Sequence, residues 1–116
     1  MMAHARWQVV FYRTASGKRP VREFLDSLAA SQRAKALSGL VMLAEAGYQL
    51  GPPWLKKIED DLWELRVLAG KVRLRFLFYV EGQRCVVLHG LKKKTERLPQ
   101  RDLQTARLRC RQCRAQ

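Results

Sequence analysis

Residues 62–91 read LWELRVLAGKVRLRFLFYVEGQRCVVLHGL, and this stretch decides the fold. Apolar and polar residues alternate through Leu62–Leu68 and Val72–Val80, the period of a strand with one face on a core. Ala69-Gly70-Lys71 and Glu81-Gly82 are turn signals between the runs, and Arg84 to Leu91 supplies a third strand. The result is an antiparallel meander. Trp63, Leu65 and Val67 share a face with Val72, Leu74, Phe76, Phe78 and Val80 once the first two strands pair. Glu64, Arg66, Arg73, Arg75 and Tyr79 then gather on the other face.

Working outward, Trp7 to Tyr12 (WQVVFY) has the aromatic and β-branched content of a further strand. Pro20 suits the first position of a helix, and Val21, Phe24, Leu25 and Leu28 recur at helical spacing. Ser31 is a candidate N-cap for a second helix carrying Leu37, Leu40, Val41 and Ala44, with Gly47 as its stop and Gly39 inside it as a point of close packing. Gly51-Pro52-Pro53 breaks the chain before a short strand over Leu55 to Ile58. Pro99 opens a last helix through about Arg109, with Leu103 and Ala106 inward. The order β, α, α, meander, α predicts an α+β fold, a mostly antiparallel sheet with a helical hairpin on one face and a C-terminal helix. Residues 1–109 are expected as one domain and 110–116 as a basic tail.

The chain has 116 residues, 47% of them hydrophobic, enough for a single core without disulfides or metal. Its 23 Lys plus Arg exceed 10 Asp plus Glu, a net charge of +13. Residues 92–116 alone hold nine basic and two acidic side chains. Such an excess points to a polyanionic partner. No run is apolar enough to span a membrane, and Met1 to Arg6 lack a signal-peptide core, so a cytoplasmic protein is expected. Three cysteines are too few and odd in number for a disulfide framework, and Cys110-x-x-Cys113 has no second pair or nearby histidine to complete a zinc site.

The polar sheet face is where chemistry can sit. An acid among arginines can form a hydrogen-bonding platform for a phosphate, or merely a solvated face with cross-strand ion pairs. His89 follows in the next strand, three residues before Lys92-Lys93-Lys94. Cleavage of RNA by attack of its 2′-OH needs a proton removed, phosphorane charge neutralised and a proton given to the leaving oxygen. Arg66, Arg75 and Lys93 can supply charge, and His89 can exchange protons near neutral pH. Glu64 is the supporting acid. Arg73, Tyr79, Lys92, Lys94 and Arg97 are expected to contact RNA. This chemistry calls for no cofactor.

The runs LWELRV, VRLRFLFYVEG and VVLHGLKKKTERLPQRDLQTA, with the Pro-Val-x-x-Phe-Leu helix before them, resemble the phage-derived HigB-like toxins of the RelE/ParE superfamily. The likeness spans about Val9 to Ala106. Arg66 and Arg75 match the two strand arginines of those toxins, and His89 with Lys92 to Lys94 matches their His and Lys-Lys segment. Leu91 replaces the usual Phe, and Phe78 stands where Tyr is common. The resemblance implies a RelE-like fold and the toxin of a type II toxin–antitoxin system, a ribosome-dependent mRNA endonuclease that inhibits translation. It implies as partners mRNA, the ribosome and an antitoxin with a helix-turn-helix DNA-binding domain. A ParE-like inhibitor of DNA gyrase and a non-catalytic RNA-binding protein are the alternatives on the same fold.

Overall fold

A computed structural model describes residues 7–93 and 97–116. Strand β1 (Gln8–Phe11) is followed by helices α1 (Pro20–Asp26) and α2 (Ala30–Ala46), then by β2 (Leu55–Glu59), β3 (Leu62–Ala69), β4 (Val72–Glu81), β5 (Arg84–Lys93) and α3 (Gln100–Arg114). The sheet order is β1-β5-β4-β3-β2. The β2–β3, β3–β4 and β4–β5 pairs are antiparallel, and β1 lies parallel to β5. The fold is thus α+β with a mixed five-stranded sheet. The meander formed where alternation and turn glycines placed it. Gly70 and Gly82, at φ of 64° and 60°, occupy the left-handed region that tight turns between strands demand.

α1 and α2 cover one face. Val21 and Leu25 of α1 and Ala36, Leu40 and Leu43 of α2 bury against Leu65, Leu74, Phe76, Phe78, Cys85 and Val87. Pro20 opens α1 at a position whose missing N–H has no helical partner to lose. Arg33 closes the end of α1, donating through Nε to the Leu25 carbonyl at 3.0 Å and through Nη2 to those of Asp26 and Leu28 at 3.1 and 3.0 Å. The Leu25 carbonyl also accepts from the Leu28 N–H at 3.1 Å, and Arg33 brings donors to those of Asp26 and Leu28 at the helix end. α2 begins before Ser31, the expected cap. Ala29 takes the N-cap position, and Gln32 reaches back to accept its N–H at 3.4 Å.

Two glycines let α1 and α2 approach the sheet. A Cβ on Gly39 would stand 2.6 Å from Cγ2 of Val67, and one on Gly90 would stand 2.6 Å from the Phe24 ring and 3.2 Å from that of Phe76. Phe24 and Phe76 meet edge to face over Gly90, their centroids 5.8 Å apart.

The helices were expected on one face, with the opposite face open. α3 instead packs on that opposite face. Leu77, Tyr79, Val86 and Leu88 of the sheet meet Ala106 and Cys110 of α3, with Tyr12, Leu103 and Cys113 around them. Leu77 is the reason: it alternates in step with Arg73, Arg75 and Tyr79, and a fully buried leucine contributes about 1.5–3 kcal/mol that an open face would forfeit. α3 also continues to Arg114, five residues beyond the expected end, so residues 110–114 are helix rather than tail. Leu103, Ala106, Cys110 and Cys113 recur at helical spacing along its buried face. Cys110 is therefore a packed thiol of the second core and not a spare residue of a basic tail.

Gly90→Ala should lower stability by roughly 1–3 kcal/mol, because Phe24 must withdraw from the sheet to admit a methyl group. Urea unfolding measures this, and an unchanged midpoint would show that Phe24 can yield without loss. Burial also pushes the Cys85 thiol up to about 11 from its ordinary 9.0. The folded chain then holds this proton more tightly than the unfolded chain. The corresponding stability is complete below about pH 9 and lost as pH rises through about 11. Cys85→Ala should flatten that part of the pH–stability curve, read from urea midpoints under reducing conditions.

Candidate functional site

The register builds the site. Arg66 of β3 lies directly opposite Arg75 of β4, and Arg75 lies opposite Leu91 of β5. Two residues along β4 toward the β3–β4 turn, Arg73 faces Leu68 on one side and Lys93 on the other. Two residues in the other direction, Leu77 faces Glu64 and His89. All these side chains belong to the α3 side of the sheet.

Like charges directly opposite each other repel, so the Arg66–Arg75 pair needs a counter-charge. Glu64 provides it from the buried interior. Its Oε1 accepts from Arg66 Nε at 2.9 Å and lies 3.9 Å from Arg75 Nη1. Glu64 is 2% exposed and Arg75 5%, whereas the Arg66 side chain is 28% exposed. One carboxylate thus fixes two guanidiniums at the boundary between core and solvent. Arg66, Arg73, Arg75 and Lys93 thus lie together on this face around one buried carboxylate.

His89 reaches this face through an irregularity. Strict alternation from Cys85 would send it to the α1–α2 side with Val87. A β-bulge intervenes: Phe78 pairs with Val87 but Leu77 pairs with His89, leaving Leu88 as the extra residue. Leu88 and His89 therefore both project toward α3. His89 Nε2 stands 2.6 Å from Oδ1 of Asp102, and Arg109 Nη1 stands 3.3 Å from Nδ1 while donating to the Leu88 carbonyl at 2.8 Å. The network assigns the proton to Nε2, where it donates to Asp102, and leaves Nδ1 to accept from Arg109. Both ring nitrogens face protein groups, so a substrate reaches either one only by displacing Asp102 or Arg109. Burial beneath the sheet also lowers the Arg109 pKa from its ordinary value.

The remaining expected residues separate. Tyr79 lies on the right face but is 3% exposed beneath α3, with the Arg114 guanidinium 5.2 Å from its ring centre. No nucleobase can stack on it there, and burial pushes its phenol up to about 12, unsuited to proton transfer near neutrality. Lys92 and Lys93 point to opposite sides of β5, as alternation requires. Lys93 is buried on the arginine side opposite Arg73, and Lys92 is exposed on the α1–α2 side. Arg97 is exposed just before α3. Lys94 lies outside the described residues.

Four residues of this region went unnoticed in the sequence. Asp102 and Arg109 grip His89, and the one available signal was an acid in the first turn of an arginine-rich helix. Trp54 and Leu68 border the arginines and are large, apolar and exposed, at 43% and 67%. With Pro53, Arg66, Arg73 and Arg75 they line a depression of about 400 Å³. A larger hollow of about 760 Å³ lies at the far end of α3. Its lining sets Glu59, Asp60 and Asp61 against Arg107, Arg111 and Arg114, with Glu59 paired to Arg107 at 2.7 Å and Asp61 to Arg114 at 3.2 Å, so it exerts less pull on an anion. Among the described residues no three His, Cys, Asp or Glu side chains come together as a metal site, and no helix is long and apolar enough to cross a membrane.

The family model of the phage-derived protein Gp49-like family (DUF891) matches residues 23–111, from within α1 to near the end of α3, and the chain belongs to that RelE/toxin-like family. No curated protein matches the chain.

Glu64→Gln should cost about 2–3 kcal/mol, because two opposed guanidiniums lose the charge that holds them. The loss should change little with salt, because charges this shielded from water are screened weakly. Urea unfolding at low and high salt checks both, and a loss under about 0.5 kcal/mol would show that Glu64 does not carry this role.

Proposed function

We propose that this protein is a HigB-like toxin, the toxic component of a type II toxin–antitoxin pair, acting as an endoribonuclease on ribosome-bound mRNA. The observation that carries the proposal is the directly opposed Arg66–Arg75 pair held by buried Glu64. Protein interiors avoid such like-charge juxtaposition, and an anion that lies between the guanidiniums relieves it. A scissile phosphate is such an anion, and it gains charge as the 2′-oxygen attacks. Arg66, the more exposed of the two, holds the phosphate on arrival. Arg75 meets the charge that develops in the phosphorane, in a site where its guanidinium is largely shielded from water. Lys93 adds to that field. His89 exchanges protons with the reacting oxygens once substrate parts it from Asp102 or Arg109.

Binding comes largely from elsewhere on the surface. Arg73, Lys92, Lys94 and Arg97 contact RNA phosphates on mRNA or ribosome, where each contact releases counterions. The antitoxin is a small protein with a helix-turn-helix DNA-binding domain, and the protein works in the cytoplasm without a cofactor.

Induced expression followed by mapping of mRNA 5′ ends tests this reading. Codon-phased cuts are expected. Arg75→Ala should lower the cleavage rate about 10²–10³-fold while ribosome binding stays nearly intact, because its contribution arises in the transition state. Lys92→Ala should instead weaken ribosome binding and reduce its salt dependence by about one counterion. Intact mRNA with trapped gyrase–DNA complexes would overturn the reading in favour of a gyrase inhibitor, and an Arg75 variant that loses only ribosome binding would remove the active site from this face.

A further inference from the structure

Trp54 is the largest exposed aromatic side chain beside the arginines. It is placed there by backbone: the Arg66 N–H donates to the Trp54 carbonyl at 2.7 Å, so the segment before β2 is pinned to the residue whose guanidinium Glu64 orients. The other two tryptophans have structural uses. Trp7 meets Tyr48 edge to face at 5.3 Å between centroids, and Trp63 meets the same tyrosine at 5.0 Å. Trp54 is in neither contact, and its indole instead helps wall the depression that Arg66, Arg73 and Arg75 share with Leu68.

Two exposed apolar side chains beside three arginines are poorly placed in water and poorly placed against an apolar protein surface, which would have to bury the charges. They suit a ligand that alternates flat apolar faces with anions at short spacing. Single-stranded nucleic acid has that form: each base offers a π-face, and each linkage a phosphate. Duplex bases are already stacked on one another and cannot reach an indole lying on a sheet surface.

Resting on the function proposed above, we infer that Trp54, with Leu68 beside it, is the stacking platform for one nucleobase of single-stranded RNA whose adjoining phosphate lies against Arg66 and Arg73. Trp54 is a binding residue that sets where the strand lies relative to Arg75, and it takes no part in proton transfer.

The test is binding of a single-stranded RNA hexamer, 2′-O-methylated so that 2′-OH attack cannot occur, measured by fluorescence anisotropy. Wild type, Trp54→Phe and Trp54→Ala are compared on this hexamer and on an abasic hexamer with the same phosphates. Trp54→Ala should weaken binding of the base-bearing strand about tenfold, and Trp54→Phe, which can still stack, should remain within about threefold of wild type. On the abasic strand all three proteins should bind alike. Far-UV circular dichroism confirms folding of each variant, and Trp54→Phe carries the comparison should Trp54→Ala not fold: its tryptophan emission should lose most of the base-dependent quenching seen in wild type. Equal affinity of wild type and Trp54→Ala for the base-bearing strand overturns the stacking role alone. So does an equal loss on both strands, or undiminished quenching in Trp54→Phe. A wild-type protein that binds duplex DNA but not the hexamer overturns the RNA reading beneath it.

Discussion

Leu88, the extra residue of β5, governs which side chains meet on the α3 side of the sheet. Before it, Cys85 and Val87 point toward α1 and α2 while Val86 points toward α3. After it, the phase is reversed by one residue. His89, Leu91 and Lys93 join the arginine face, and Gly90 falls beneath Phe24, where only a glycine fits. Without the bulge, Gly90 would lie on the α3 side and His89 would confront the aromatic packing of α1. The bulge is thus required by the α1 core and by the α3 contact together. Arg109 fastens it by donating to the Leu88 carbonyl, and Asp102 and Arg109 hold the histidine it exposes.

α3 divides the sheet face it covers. Away from the β3–β4 turn its apolar stripe buries Leu62, Leu77, Tyr79, Val86 and Leu88, making a second core. Toward that turn it leaves Arg66, Arg73 and Leu68 within reach of solvent. Glu64 and Arg75 stand at the border, largely removed from water. Two buried charges cost desolvation, and apolar residues of similar volume would often be at least as stable there. Folding alone therefore gives little reason for this arrangement; the proposed phosphate contact would supply one. Local departures from the rules of core construction concentrate at functional sites.

Much of this was legible in the sequence, for identifiable reasons. Period-two alternation in LWELRVL and VRLRFLFYV placed Glu64, Arg66 and Arg75 on one face, and the observed register puts Arg66 opposite Arg75. Pro20 and Gly47 marked helix ends correctly. The bulge was not legible, because a one-residue change of phase leaves no trace in a run as apolar as CVVL. The parallel partnership of β1 with β5 joins segments too far apart in the chain for any local pattern to record. α3 was cut short because Cys110 and Cys113 were read as thiols in a basic tail. Treated as small hydrophobes they extend the Leu103–Ala106 stripe by two turns. That omission also left Tyr79 on an open surface it does not occupy. Asp102 and Arg109 lay within the expected helix, but no local pattern recorded that it packs across His89.

The central claim is that the arginine face performs 2′-OH attack on RNA, and the ends of the product report on that chemistry most directly. Ribosomes programmed with a defined mRNA are incubated with the purified protein, and the termini at the cut are characterised. Attack by the neighbouring hydroxyl leaves a 2′,3′-cyclic phosphate, or the monophosphate it hydrolyses to, upstream and a 5′-hydroxyl downstream. Those ends are expected from the wild type and should be lost on substitution of Arg75. A 5′-phosphate on the downstream fragment, or cleavage undiminished in Arg75→Ala, would contradict the claim.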